Sequence, residues 1–224
     1  MKKIGKRKSG IRNYAAFTLV ELLIVLAIIG ILASFILTVG PFIKRTAYIN
    51  KTKAEMAQLE TAIDSYKATY NFYPPSGGNN LVNPLYYELL GTTNNGINYV
   101  TLDGSATIAV GSVNALGVGG FVNCSKGSGE DASPAKGFLS GLKPQQSGTY
   151  VSSGINVTLL AGSAGGPDQG YAPLGGSTLN PWRYVAPGVN NPGGYDLYIQ
   201  LVIKGQTNLI CNWSKQVQIN SPLP

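Results

Sequence analysis

FTLVELLIVLAIIGILASFILTV, residues 17–39, decides how this chain is read. As an α-helix these 23 residues rise about 35 Å, enough to cross a bilayer, and Glu21 is the one charged residue among them. The sequence therefore predicts a membrane-spanning helix. A charge inside a spanning helix costs roughly 2.5–3.5 kcal/mol on insertion scales, so Glu21 calls for a positive partner in the membrane.

The residues before the run sharpen this reading. Lys2, Lys3, Lys6, Arg7, Lys8 and Arg12 stand in residues 1–16 with no acid among them, which places that end in the cytoplasm. A secretory signal places its small-residue cleavage site after the apolar stretch. Here the small pair, Ala15 and Ala16, precedes it. A cut between Ala16 and Phe17 removes only the basic leader and leaves a membrane helix with a free ammonium at Phe17. That ammonium is the missing partner of Glu21. The helix rises about 6 Å between the two residues, so an axially staggered neighbour meets the carboxylate more directly than the chain's own terminus does.

AAFTLVELLIVLAIIGILA, residues 15–33, resembles the processing site and hydrophobic helix of type IV prepilins and type II secretion pseudopilins. The resemblance implies a membrane prepilin peptidase that cuts before Phe17 and N-methylates it, and a filament-assembly role for Glu21. Where the family usually has Gly before the cut, this chain has Ala16, and its Pro41 falls about one turn later than the family's proline. A plain N-terminal anchor accounts for the apolar length and the basic flank, but not for Ala16, Phe17 and Glu21 together.

Beyond the apolar run, Ile49, Thr52, Met56, Leu59, Ile63, Tyr66 and Tyr70 recur every three or four residues, which predicts one buried helical face, with Lys51, Glu55 and Lys67 on the other. The expected organisation is a leader over 1–16, a membrane and filament-core helix over 17–40, an amphipathic continuation over 41–72 and a β-rich globular head over 73–224. Gly30, Gly40 and Pro41 predict a kink or a short melted segment at the membrane exit. Tyr73-Pro74-Pro75-Ser76-Gly77-Gly78 should stop the helix, and all but four of the 29 glycines lie from Gly77 onward. Leu85–Leu90 reads as a helical turn, and 97–102, 107–110 and 155–160 read as strands. Leu197, Ile199, Leu201 and Ile203 alternate with Asp196, Tyr198, Gln200, Val202 and Lys204 as in a strand with one buried face, turning back through 205–208 into 209–213. The fold class is α+β: a long helix carrying a small antiparallel sheet, with a Gly-rich inserted lobe at about 92–175.

A second resemblance lies in the head. Tyr66-Lys67, Tyr73-Pro74, Asn180-Pro181-Trp182-Arg183-Tyr184, Pro187-Gly188, Tyr195-Asp196-Leu197-Tyr198 and Ile210-Cys211-Asn212-Trp213 are similar to the major pseudopilin of type II secretion. It implies a type IV pilin-like fold and a calcium ion in the loop before the final strand. That loop here, Lys204-Gly205-Gln206-Thr207-Asn208, has no acid, whereas calcium takes several oxygen ligands including carboxylates, so no metal ligand is named. Cys124 and Cys211 are the two cysteines. A disulfide between them and two separately buried thiols stay open as alternatives in an extracytoplasmic head.

Charge and composition narrow the function classes. The net charge of +7 lies mostly in the leader, so the remainder has no electrostatic pull toward nucleic acid. Without a histidine, neither a Ser/His/Asp triad nor a Cys/His pair can be assembled, and the ten acids form no readable acid/base couple, so no catalytic residue is assigned. The expected function is a pseudopilin of a type II secretion filament that drives protein export. The resemblance implies as partners the prepilin peptidase, further copies of the chain, minor pseudopilins, an inner-membrane assembly platform and the membrane. It also implies a single pass through the bacterial inner membrane, with the N-terminus cytoplasmic, the head periplasmic, and the filament in the periplasm or at the cell surface. A type IV pilin for adhesion, motility or DNA uptake shares the same N-terminal residues, and a membrane-anchored extracytoplasmic enzyme is the alternative of another class.

Overall fold

The computed structural model describes residues 17–125, 133–163, 173–175 and 178–224, with side chains at all of these except 35–43. The basic leader, Ala16 included, lies outside the described residues. The chain divides into two units, residues 1–44 and Arg45–Pro224.

Helix α1 runs Leu19–Tyr70. The predicted melted segment at Gly40-Pro41 is not present: the helix passes through both residues. A proline removes one backbone donor and crowds the carbonyl one turn before it, a local cost that the helical hydrogen bonds on either side span. Its end comes earlier than the Tyr73-Pro74 stop. Asn71 adopts a left-handed conformation (φ 65°) while its N–H still bonds the Lys67 carbonyl at 2.7 Å, a C-terminal cap that Asn tolerates better than most residues.

In the globular unit, the predicted face of α1 is the face that packs. Thr52, Leu59, Ile63 and Tyr66 are buried, and Ile49, Met56 and Tyr70 lie half-buried against the same core. Glu55, expected on the water face, is buried instead: it accepts hydrogen bonds from the Ser163 N–H at 3.0 Å and from the Ser163 hydroxyl. The short helix α2, Leu85–Leu90, is wholly buried.

Strands β1 (Thr92–Asn94), β2 (Asn98–Thr101), β3 (Thr107–Ala109) and β4 (Cys124–Ser125) form a sheet in the order β3-β2-β1-β4, antiparallel except for the β1–β4 pair. Strands β5 (Ser147–Ser152) and β6 (Ile155–Leu160) form a separate hairpin. The described part of the inserted segment is thus folded, and its Ile108, Leu116, Phe121, Val157 and Leu159 join the one large core that also holds Leu59, Ile63 and Tyr66.

The third sheet is antiparallel, in the order β10-β9-β8-β7, built from β7 (Arg183–Val185), β8 (Asp196–Ile203), β9 (Gln206–Cys211) and β10 (Ser214–Ile219). The expected single buried face of β8 is corrected: both faces are covered. Leu197, Ile199, Leu201 and Ile203 enter the main core, while Tyr198 on the other face packs with Leu209, Cys211 and Trp213. The turn back is tighter than the sequence suggests. Lys204 and Gly205 alone make it, both with positive φ (51° and 76°), as a type I′ hairpin requires. Helices and antiparallel sheets around one core make the fold α+β.

Candidate functional site

Thr18 and Glu21 form a capping box. The Thr18 hydroxyl accepts the Glu21 N–H at 3.2 Å and donates to the Glu21 carboxylate at 2.7 Å, and the same carboxylate oxygen accepts the Thr18 N–H at 2.9 Å. The first N–H groups of a helix have no partner within the helix, and this reciprocal arrangement satisfies two of them. The pattern is visible in the sequence as Thr18-Leu19-Val20-Glu21, but reading Glu21 only as a charge overlooks it. Phe17 sits just outside the box, 79 % exposed. Phe17 and Glu21, predicted as partners, are thus brought to one helix end, and the carboxylate's hydrogen bonds go to Thr18.

From this end the helix is apolar on all sides. Leu19, Val20, Leu22, Leu23, Ile24 and Leu26 occupy positions all round the axis, and each is more than half exposed. Helices of this kind are normally enclosed by protein or lipid. The sequence extends the apolar run to Val39, but the side chains of 35–43 lie outside the described residues. Among the described residues no helix is long and apolar enough to cross a membrane.

Two segments that carry the second resemblance meet in the globular unit. The Tyr184 hydroxyl donates to the Pro74 carbonyl at 2.8 Å, Tyr184 N–H bonds the Asn80 carbonyl, and Trp182 is 2 % exposed. Burial pushes the Tyr184 hydroxyl above its ordinary range, so it stays a neutral donor. Glu88, fully buried, accepts from the Tyr66 hydroxyl at 3.0 Å and from the Val122 and Asn123 N–H groups at 2.8 and 2.9 Å. It ties α1 and α2 to the approach to β4. Burial, together with the neighbouring Glu88, also holds the Tyr66 hydroxyl above its ordinary range.

Asp196 is likewise a structural acid. Its carboxylate accepts from the N–H groups of Val189, Asn190 and Asn191 and from the Asn190 side chain, all within 2.8–3.0 Å. Gly188 fits this knot because it lacks a Cβ: one there would lie 2.6 Å from an Asp196 oxygen. The loop where the resemblance implies calcium is the two-residue Lys204-Gly205 turn, without a carboxylate. Among the described residues no group of three or more His, Cys, Asp or Glu is placed to hold a metal ion.

Cys124 and Cys211 are both free and buried. The first belongs to the main core and the second to the smaller cluster around Tyr198, so the bridge considered from the sequence is not formed in this structure. Burial raises the Cys211 thiol above its ordinary range, which keeps it protonated and unreactive.

The family model for the prokaryotic N-terminal methylation motif matches residues 11–37. The type II secretion system core protein G of Aeromonas hydrophila is 38 % identical over 63 residues, 28 % of this chain and 44 % of that protein. Core protein G of Vibrio cholerae serotype O1 is also 38 % identical over 63 residues, 28 % of this chain and 43 % of that protein. The match spans under half the length of either relative. No solved structure matches. With the methylation motif laid over the capping box and the exposed apolar helix, the chain is prepilin-like and similar to the major pseudopilin of type II secretion.

Proposed function

We propose that this chain is a non-enzymatic structural subunit with a type IV pilin-like fold, a pseudopilin of a type II secretion filament that drives protein export. A prepilin peptidase removes residues 1–16 by cutting between Ala16 and Phe17 and methylates the new Phe17 amine. The helix over 17–40 spans the inner membrane, N-terminus cytoplasmic and globular unit periplasmic, until an assembly platform moves it into the filament. There it packs against other copies and minor pseudopilins.

The observation that carries this reading is an apolar helix, exposed on every side, with a single carboxylate in its first turn. In lipid that carboxylate is costly, and the capping box offsets part of the cost while the subunit is alone. In the filament the Phe17 ammonium of a neighbour supplies the counter-charge, so Glu21 both sets the axial stagger and stabilises the contact. The match to core protein G favours secretion over a pilin for motility.

Mass spectrometry of the mature N-terminus tests the first step. The expected species begins at Phe17 and carries one added methyl group. A functioning chain that keeps residues 1–16 would overturn the reading.

A further inference from the structure

Past residue 16 the chain is close to neutral, yet its charges are segregated. The globular unit begins at Arg45. Arg45 donates to the Asn208 side-chain oxygen at 2.6 Å, and Lys53 donates to the Lys215 carbonyl at 2.9 Å. Both acceptors are neutral, so these bonds hold the two side chains in place without cancelling their charge. Lys204, in the β8–β9 turn, and Lys215, in β10, are exposed. Lys51 is differently placed: it bonds the Ser163 carbonyl, and the Ser163 N–H bonds the buried Glu55 one turn along α1. In the sequence Glu55 is the one acid between Arg45 and Glu60, and no acid follows Asp196.

Strands β9 and β10 hold these cations on one part of the unit. Asn208 pairs with Ile219, and Ser214, next to Lys215, pairs with Cys211. The two strands therefore lie along α1 from Arg45 to Lys53, about 12 Å of helix. Ile219, paired with the residue that Arg45 bonds, is 50 % exposed. An apolar side chain among cations suits a lipid surface, where the apolar group reaches the acyl boundary and the cations reach the phosphates.

The chain itself brings such a surface close. The apolar run ends at Val39, and the six residues from Gly40 to Arg45 span at most about 20 Å when extended. On so short a tether the face meets headgroups at high local concentration, and weak attractions suffice. We infer that Arg45, Lys53, Lys204, Lys215 and Ile219 dock the globular unit on the anionic phospholipid headgroups of the bilayer that holds the apolar helix. The inference rests on the membrane-spanning reading above. It adds a contact that the unit makes before assembly and gives up when the helix leaves the lipid.

The test reconstitutes the full chain in vesicles of phosphatidylcholine alone or of equal parts phosphatidylcholine and phosphatidylglycerol, with spin-labelled lipid as quencher. A fluorophore is placed on Ile219→Cys, or on Gln216→Cys, which keeps the isoleucine. The native cysteines are buried, and the unaltered chain gives the labelling background. Val189→Cys is the control: this residue is 78 % exposed and sits at the Asp196 end of β8, about 25 Å of strand from Lys204. Quenching at 219 and 216 is expected in the anionic vesicles only, and at 189 in neither. It should fade in about 1 M salt, where the screening length shrinks to about 3 Å. Lys204→Asn combined with Lys215→Gln should lower the docked-to-free ratio about 25-fold, since each cation near an anionic surface accounts for about fivefold. Both side chains are exposed, and Asn tolerates the left-handed conformation at 204, so the thermal midpoint should not move. Equal quenching in the two kinds of vesicle, or quenching unchanged by the double substitution, would overturn the docking and leave the membrane reading intact. Self-quenching between labelled chains in vesicles without spin-labelled lipid would mark a second copy as the occupant and overturn the choice of lipid. A chain that an alkaline wash strips from the vesicles would overturn both readings.

Discussion

The two units use the same apolar residue types to opposite ends. In residues 17–34 large apolar side chains from Phe17 to Leu32 are 45–79 % exposed. In Arg45–Pro224, Ile63, Tyr66, Trp182, Leu197 and Ile199 are at most 2 % exposed. The difference comes from pattern rather than hydrophobicity. From Ile49 onward apolar residues return to one face, and a sheet from the same chain covers that face. Before that they surround the axis, and no single partner element covers all sides of a helix. The globular unit thus buries its apolar side chains against one another, whereas the described side chains of 17–34 are left exposed on every side of the helix.

Two substitutions should separate these roles, each damaging one unit and sparing the other. Glu21→Ala is expected to leave the thermal midpoint of the globular unit unchanged and still to be inserted and cleaved. Filament yield should fall by roughly a hundredfold, since removing one partner of a desolvated ion pair costs about 3 kcal/mol or more. Wild-type filament yield from this variant would show that Glu21 is only a helix cap. Glu88→Ala should do the reverse. It strips the Tyr66 hydroxyl and the Val122 and Asn123 N–H groups of a buried acceptor, at a cost of about 3 kcal/mol. For a unit of this size that is a drop of roughly 6–12 °C in midpoint, measurable by circular dichroism. A midpoint within a degree of wild type would mean that the site relaxes or admits water.

What could be read from the sequence, and what could not, follows the same division. Leu85–Leu90 and Ile155–Leu160 have the bounds the sequence predicts, because each is a short apolar run between turn residues. The apolar stripe on α1 is equally readable, since its period is that of the helix. The strands β1, β5 and β10 have the sequences Thr-Thr-Asn, Ser-Gly-Thr-Tyr-Val-Ser and Ser-Lys-Gln-Val-Gln-Ile, which carry little apolar patterning. Their pairing partners define them, and those lie elsewhere in the chain. The burial of Glu55 and the role of Asp196 are not readable for a related reason: an acid is buried where donors from other parts of the chain meet it, and that meeting is a property of the fold. At the candidate site, Glu21 stands out in the sequence as the one charge in an apolar run. The part played by Thr18 needed the local rule for helix starts.

A smaller effect tests whether the globular unit also answers to pH through its own residues alone. Glu60 is half-buried on α1, and its carboxyl lies above the ordinary value of 4.5, first through burial and then through Asp64 one turn further on. Tyr195 faces the same pair and is raised as well, by burial and then by Asp64 and Glu60. A carboxyl that binds its proton more tightly when folded adds stability below about pH 4.5 and loses that contribution as the pH rises through the folded value. Glu60→Gln removes the ionisation. Its urea midpoint should equal that of wild type at pH 4 and exceed it modestly at pH 7. Asp64→Asn should narrow the same gap, because it relieves the second cause. Equal midpoints at both pH values would mean that solvent screens Glu60 fully. A reversed gap, with the variant weaker at pH 7, would mean that the ionised carboxylate has a stabilising partner, and the unit would then depend on that charge rather than tolerate it.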